Sequence, residues 1–255
     1  MDFSFELLLI LSLVAILAGF IDAIAGGGGL LTIPALLFTG ISPVQAIATN
    51  KLQACFGSFT ATRFFVKQKL VSPTKQIWAM VAAAAGAILG AIAIQLFDSQ
   101  VLVTALPFAL IIIAFYLLVS KNFGKVADEP KMRETTFNSS FVLAVGTYDG
   151  FFGPGTGTFF TLSYCKMRAM NLIQATAHGK LLNFVTNIIS LLIFALSGQI
   201  IWQLGLAMAV GQIIGSRLGA ATALKQGSDF IRYMTIAVCI VMSISLLIKA
   251  FNQGT

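Results

Sequence analysis

Two glycine clusters are the segments of this sequence best suited to bind a ligand: Gly26-Gly27-Gly28-Gly29 and Gly153-Pro154-Gly155-Thr156-Gly157. Each glycine in a helix interior costs about 1 kcal/mol against alanine, so a run of this kind must interrupt a helix. A short apolar stretch follows each break, at 30–38 and at 156–165. The first N–H groups of a half-helix starting there lack intrahelical partners and carry the positive end of the helix dipole. Such an end suits an anion. Thr156 and Thr158 add hydroxyl donors. Gly27, Gly28, Gly29, Gly155, Thr156 and Gly157 are therefore expected to contact an anionic ligand. The competing explanation, that the glycines only permit close helix packing, accounts less well for two such clusters.

Charged residues recur around both clusters. Asp22 and Asp149 each precede their cluster by four residues. A carboxylate within an apolar stretch points to function, here ion coupling, or to a structural role as a cap on the broken backbone. Lys51 lies eight residues after Pro43, about 12 Å along a helix, which places it near mid-membrane. The offset that carries Asp22 onto Asp149 carries Lys51 onto His178, the sole histidine, and Lys180 follows two residues later. The expected ligand set thus adds Thr49, Asn50 and Lys51 from the first half and Thr176 and His178 from the second, with Lys180 as a coupling or structural residue. A buried lysine needs a counter-charge, supplied by Asp22, by Asp149 or by an anionic substrate. Arg63 and Arg217 fall near helix ends and are expected to snorkel.

The elements that must position these residues are membrane helices. Of 255 residues, 58% are hydrophobic and 10% are charged, against about 25% charged in a soluble domain. So few charges cannot coat a water-exposed surface, which excludes a soluble enzyme, a disordered chain, a coiled coil and a disulfide scaffold. The net charge of +7 fits cytoplasmic loops facing anionic lipid. No solvated basic stretch suggests nucleic acid. Cys55, Cys165 and Cys239 lie far apart with no CxxC, so they read as packing residues, and neither a metal nor a cofactor is expected. No Walker A, GxGxxG, HExxH or nucleophile elbow occurs, so no catalytic residues are assigned. Met1 to Glu6 carries Asp2 and Glu6 and no positive charge, unlike the start of a signal peptide.

Stretches long enough to span run at about 5–25, 44–66, 76–97, 100–120, 138–152, 170–197, 200–223 and 230–250. The one extended polar interval, 121–137, falls mid-chain. On either side of it the pattern repeats: the interval from Asp22 to Thr49 equals that from Asp149 to Thr176, with no gap needed between. Gly86/Gly90 and Gly211/Gly215/Gly219 form small-residue rows, read as packing faces. If all eight stretches cross, the first half obeys the positive-inside rule and the second opposes it. If each glycine break is instead the apex of a re-entrant hairpin, thirteen of the fourteen Lys and Arg residues outside the spans become cytoplasmic. Both termini are then extracytoplasmic. The expected fold is an all-α polytopic membrane protein with two inverted structural repeats. Each repeat holds a Gly-broken helix pair, re-entrant or discontinuous, plus three transmembrane helices. The repeats cover about 1–123 and 137–255, joined by a linker at 124–136, in one integral-membrane domain.

The run DAIAGGGGLLTIPALLFTGISPVQAIATNK (residues 22–51), with its weaker echoes DGFFGPGTGTFF (149–160) and ATAHGK (175–180), resembles the signature of the sulfite exporter TauE/SafE family, especially its YfcA-like members. The resemblance extends over the whole chain. It implies transport of small anions, with sulfite, thiosulfate and organosulfonates as the substrate class.

The expected function is secondary transport of a small sulfur-containing anion by alternating access, in the inner membrane of a bacterium. Its partners would be the anion and the lipid bilayer, with a homo-oligomer left open. An anion channel, or a membrane anchor or assembly subunit without transport, is the alternative.

Overall fold

In the computed structural model, which describes residues 3–97 and 129–253, each half begins with a helix that stops at glycine. Helix α1 (Phe5–Ala25) starts where the Ser4 hydroxyl caps Leu7 N. Its 21 residues reach about 31 Å, the thickness of the hydrocarbon core. It ends at Gly26, which is left-handed (φ 79°) and returns its N–H to the Asp22 carbonyl. A nine-residue helix follows, α2 (Gly29–Leu37). Next, α3 (Pro43–Lys67) opens on a capping box between Ser42 and Gln45, with Pro43 in the first turn. A 3-10 turn (Pro73–Gln76) leads into α4 (Ile77–Ala93).

The second half runs in the same order. Helix α5 (Glu134–Phe137) passes through a π-helical turn (Asn138–Val142) into α6 (Leu143–Phe151). Then come α7 (Thr156–Arg168), α8 (Leu172–Leu196) and α9 (Trp202–Gln253), the last broken at Gly227 (φ 81°). No strand occurs among the described residues. The expected span at 100–120 and the start of the polar linker lie outside them.

Four segments among the described residues are long and apolar enough to cross a membrane: Phe5–Ala25, Pro73–Leu96, Leu172–Leu196 and Trp202–Gly227. Helix α3 is as long as α8, at 25 residues, but its hydropathy is diluted by Thr49, Asn50, Lys51, Gln53, Ser58 and Thr62, all buried. The described exterior is thus apolar, while polar and charged side chains are held inside. Leu9, Leu13 and Leu17 of α1, Trp78 and Leu89 of α4, and Leu206, Val210 and Leu218 of α9 point outward, while Lys51, Asp149, Lys180, Asn187 and Gln212 are buried. Lipid as the surrounding solvent accounts for that inversion.

Contacts come in matched pairs across the two halves. Helix α1 packs on α9, α6 packs on α4, and α3 lies against α8. The first two pairings run along the small-residue rows. Gly211, Gly215 and Gly219 of α9 sit on the backbone at Ser12, Ile16 and Phe20, and Gly86 and Gly90 of α4 sit on the backbone at Leu143 and Thr147. Gly146 of α6 reciprocates, since a Cβ there would lie 2.6 Å from the Ala83 carbonyl oxygen. These rows seat one backbone against another and are packing faces.

Candidate functional site

The two glycine breaks touch. A side chain on Gly26 would overlap the backbone of Gly157 and Thr158, and Gly29 packs against Pro154. The Thr158 hydroxyl donates to the Ala25 carbonyl across this joint. Only glycine satisfies both demands at position 26, a positive φ and no Cβ. On the second break Gly153 and Gly155 also have positive φ, of 91° and 79°, and the Tyr148 hydroxyl donates to the Pro154 carbonyl.

Four charges converge on the joint, and they pair between halves. Lys51 Nζ on α3 lies 2.9 Å from Asp149 Oδ1 on α6, with side-chain exposures of 0% and 1%. Lys180 Nζ on α8 donates to Asp22 Oδ2 on α1 at 2.8 Å. Each carboxylate also serves its own break: Gly28 N–H donates to Asp22 Oδ1 at 3.2 Å, and the Thr156 hydroxyl donates to Asp149 Oδ1 at 2.7 Å. Asp22 thus bonds the broken backbone as well as a charge, whereas Asp149 takes a side-chain hydroxyl from its break as well as a charge.

Between the pairs lies a cavity of about 20 Å³, lined by Gly26, Gly28, Gly29, Asn50, Gln53, Gly153, Gly157, Asn183, Asn187 and Gln212 together with Asp22, Lys51 and Asp149. That is room for about one water. Its polarity is unevenly satisfied. Asn50 Oδ1 accepts from Thr32 Oγ1 at 2.5 Å and from Gln53 Nε2 at 2.6 Å. Asp149 Oδ2, Gln53 Oε1 and Gln212 Oε1, all buried, have no hydrogen-bond partner. Buried polar atoms left this way are costly, and their gathering at one cavity marks a place for an ion or a polar ligand.

Of the residues expected from sequence, Gly28, Gly29, Asn50, Lys51, Gly157, Asp22 and Asp149 line the cavity. Lys180 reaches it through Asp22, and Thr156 through Asp149. Gly27 and Gly155 belong to the breaks, where their carbonyls accept from Leu30 N and Thr158 N. Thr49 and Thr176 are turned elsewhere: Thr49 accepts from Ile201 N at 3.0 Å and Thr176 bonds back to Leu172. His178 also stands apart, with Nδ1 2.9 Å from the Gln174 carbonyl and its ring against Tyr164. Lys180, two residues further on, reaches the joint instead. Arg217 lies over the Phe64 ring, 5.0 Å from its centroid. Asn183, Asn187, Gln53 and Gln212 were not singled out from sequence, although Lys180, Asn183 and Asn187 recur at helix spacing and so share one face of α8.

The position of His178 carries a prediction. His178→Gln should change anion affinity by less than about twofold, or about 0.4 kcal/mol, and leave its pH profile as in the wild type. Binding titrations at acid and alkaline pH check this; a variant that loses the pH dependence would return His178 to the site.

Helices with an apolar exterior, four described segments of them long and apolar enough to cross a membrane, enclose paired charges at two broken segments and define a membrane protein with a small polar centre. A family profile described as sulfite exporter TauE/SafE matches residues 11–246. The chain belongs to that family, which makes it a membrane transport protein and not an enzyme. It is 45% identical over 247 residues to "Probable membrane transporter protein YfcA" of Escherichia coli (strain K12), covering 97% of this chain and 92% of the relative. It is 41% identical over 246 residues to "Probable membrane transporter protein ORF9" of Sinorhizobium sp, covering 96% and 94%. A more distant relative, "Probable membrane transporter protein YunE" of Bacillus subtilis (strain 168), is 24% identical over 269 residues. No solved structure matches the chain.

Proposed function

We propose that this protein is a secondary transporter of a small sulfur-containing anion, of the sulfite, thiosulfate or organosulfonate class, in a bacterial inner membrane. The observation that carries the reading is the pair of buried ammonium groups, Lys51 and Lys180, held where the two glycine breaks meet. Two cations and two half-helix starts at one point are suited to an oxyanion. The family's description supports the sulfur chemistry. The matched contacts α1 on α9 and α6 on α4, and the crossed ion pairs, support two inverted repeats, about 1–123 and 137–255, that rock against one another to alternate access. The small size of the cavity, about 20 Å³, favours a transporter over a channel with a continuous pore.

The test is a titration of the purified protein against sulfite, thiosulfate, sulfate and small sulfonates, followed by uptake into liposomes. Saturable binding of one sulfur-anion class, with uptake saturating over the same concentrations, is expected. No binding by any of these anions, or ion flow at channel rates, would remove this function.

A further inference from the structure

The charges at the joint sum to zero: Lys51 and Lys180 against Asp22 and Asp149. An anion entering alone would leave the buried centre with net negative charge, and an uncompensated buried ion is strongly unfavourable. Space is a second constraint. A cavity of about 20 Å³ holds about one water, so a sulfur oxyanion must take a place already filled. The place it needs is beside the Lys51 ammonium, where Asp149 Oδ1 now sits at 2.9 Å. On the anion-transport reading, the carboxylate holds the place beside Lys51 that a substrate oxygen would take.

Asp149 has a way to give up that position. Its Oδ2 is buried without a hydrogen-bond partner, whereas Oδ1 is held by Lys51 and Thr156. The charged residues that line the cavity are Asp22, Lys51 and Asp149, and Lys180 is paired to Asp22. So Asp149 touches Lys51 from α3 and the neutral Thr156 of α7, and shares the cavity with Asp22 of α1, to which Lys180 of α8 is paired, and with the neutral Asn50 and Gln53 of α3, Asn183 and Asn187 of α8 and Gln212 of α9. Tyr148, on its own helix, is tied to Pro154. No other acid at the cavity can take up a proton in place of the two aspartates.

Resting on the anion-transport reading above, we propose that transport is coupled to protons: Asp149, and Asp22 in parallel, take up one proton for each negative charge of the bound anion, so that the loaded site stays neutral. In the step, a proton from the aqueous side forms an O–H bond at Asp149 Oδ2, and the Lys51–Asp149 ion pair opens. The Lys51 ammonium, still protonated, then pairs with the anion. Nothing is oxidised or reduced, and release of the anion with its proton restores the original pair. For a second charge the proton goes to Asp22 Oδ2 as the Lys180–Asp22 pair opens, while Oδ1 keeps its bond from Gly28 N–H. The site therefore takes one proton with a monoanion and two with a dianion.

The experiment counts protons. Purified full-length protein is titrated calorimetrically with methanesulfonate, a monoanion, and with thiosulfate, a dianion near neutral pH, in two buffers of different protonation enthalpy. Expected uptake is about one proton for methanesulfonate and about two for thiosulfate, and affinity for the monoanion should fall about tenfold per unit rise in pH. Asp149→Asn should take up about one proton fewer per anion. Because that variant leaves Lys51 without its counter-ion, anion should also raise its melting temperature more than it raises that of the wild type. Binding with no net proton uptake by the wild type would overturn the coupling and leave the transport reading standing. An Asp149→Asn variant with the wild-type proton count would overturn the role of Asp149. If the variant does not fold, the wild-type count decides alone. Failure of both probes, and of sulfite and sulfate, to bind would remove the transport reading and the coupling together.

Discussion

Lys51→Met is expected to destabilise the folded protein by about 3–5 kcal/mol, the cost of leaving one partner of a buried ion pair alone. Asp149 is 1% exposed and its other partner is the single Thr156 hydroxyl, so nothing nearby takes over the charge. The double variant Lys51→Met/Asp149→Asn removes both charges and should recover most of that stability. Anion binding should not recover with it. Losing a charge-assisted hydrogen bond costs about 1.5–3 kcal/mol, or about ten- to a hundredfold in affinity. Lys51→Arg should keep part of the binding. Thermal unfolding in detergent and anion titration, made on the same preparations, separate the two effects. A stable double variant that binds anion like the wild type would reduce Lys51 to a structural partner of Asp149.

The second large effect belongs to Gly26. Its φ of 79° is unfavourable for any residue with a Cβ, by about 1–2 kcal/mol. A Cβ there would also lie 2.6 Å from Gly157 Cα, so the two breaks would have to part and the Thr158–Ala25 hydrogen bond would go with them. Gly26→Ala should lower uptake into liposomes at least tenfold while the protein still inserts. Gly40 supplies the control. It has a similar φ of 83° but nothing within 4 Å of its Cβ position, so Gly40→Ala should carry the backbone cost and transport normally. Equal uptake by the two variants, per amount of folded protein, would mean that contact between the breaks has no part in transport. Gly28→Val is expected to behave like Gly26→Ala, since a Cβ there would lie 2.7 Å from the Asp22 Cβ.

The membrane character of the chain, the glycine breaks and the presence of intramembrane charge were legible without coordinates, because each is a local property. Composition sets the solvent, and a run of glycine cannot continue a helix whatever surrounds it. The equal spacing of Asp22 and Asp149 ahead of their clusters was legible for the same reason, and so was membership of the family, whose signature is itself a local run of residues. Partner choice was not local. Asp149 is matched with Lys51 and Asp22 with Lys180 across the two halves, and nothing in the linear order separates this crossing from pairing within each half. The offset between the two aspartates, applied to Lys51, lands on His178, because the gapless register of the two halves ends at Thr176. Beyond it the next lysine, Lys180, comes two residues later, a rotation of about 200° around the helix. That rotation carries His178 toward Tyr164 and Lys180 toward Asp22. Asn183, Asn187, Gln53 and Gln212 stayed hidden for a related reason. A polar side chain in a membrane helix must face protein or water, but which neighbour it faces depends on where α3, α8 and α9 come together, and that is settled by packing along the glycine rows and by the meeting of the two breaks.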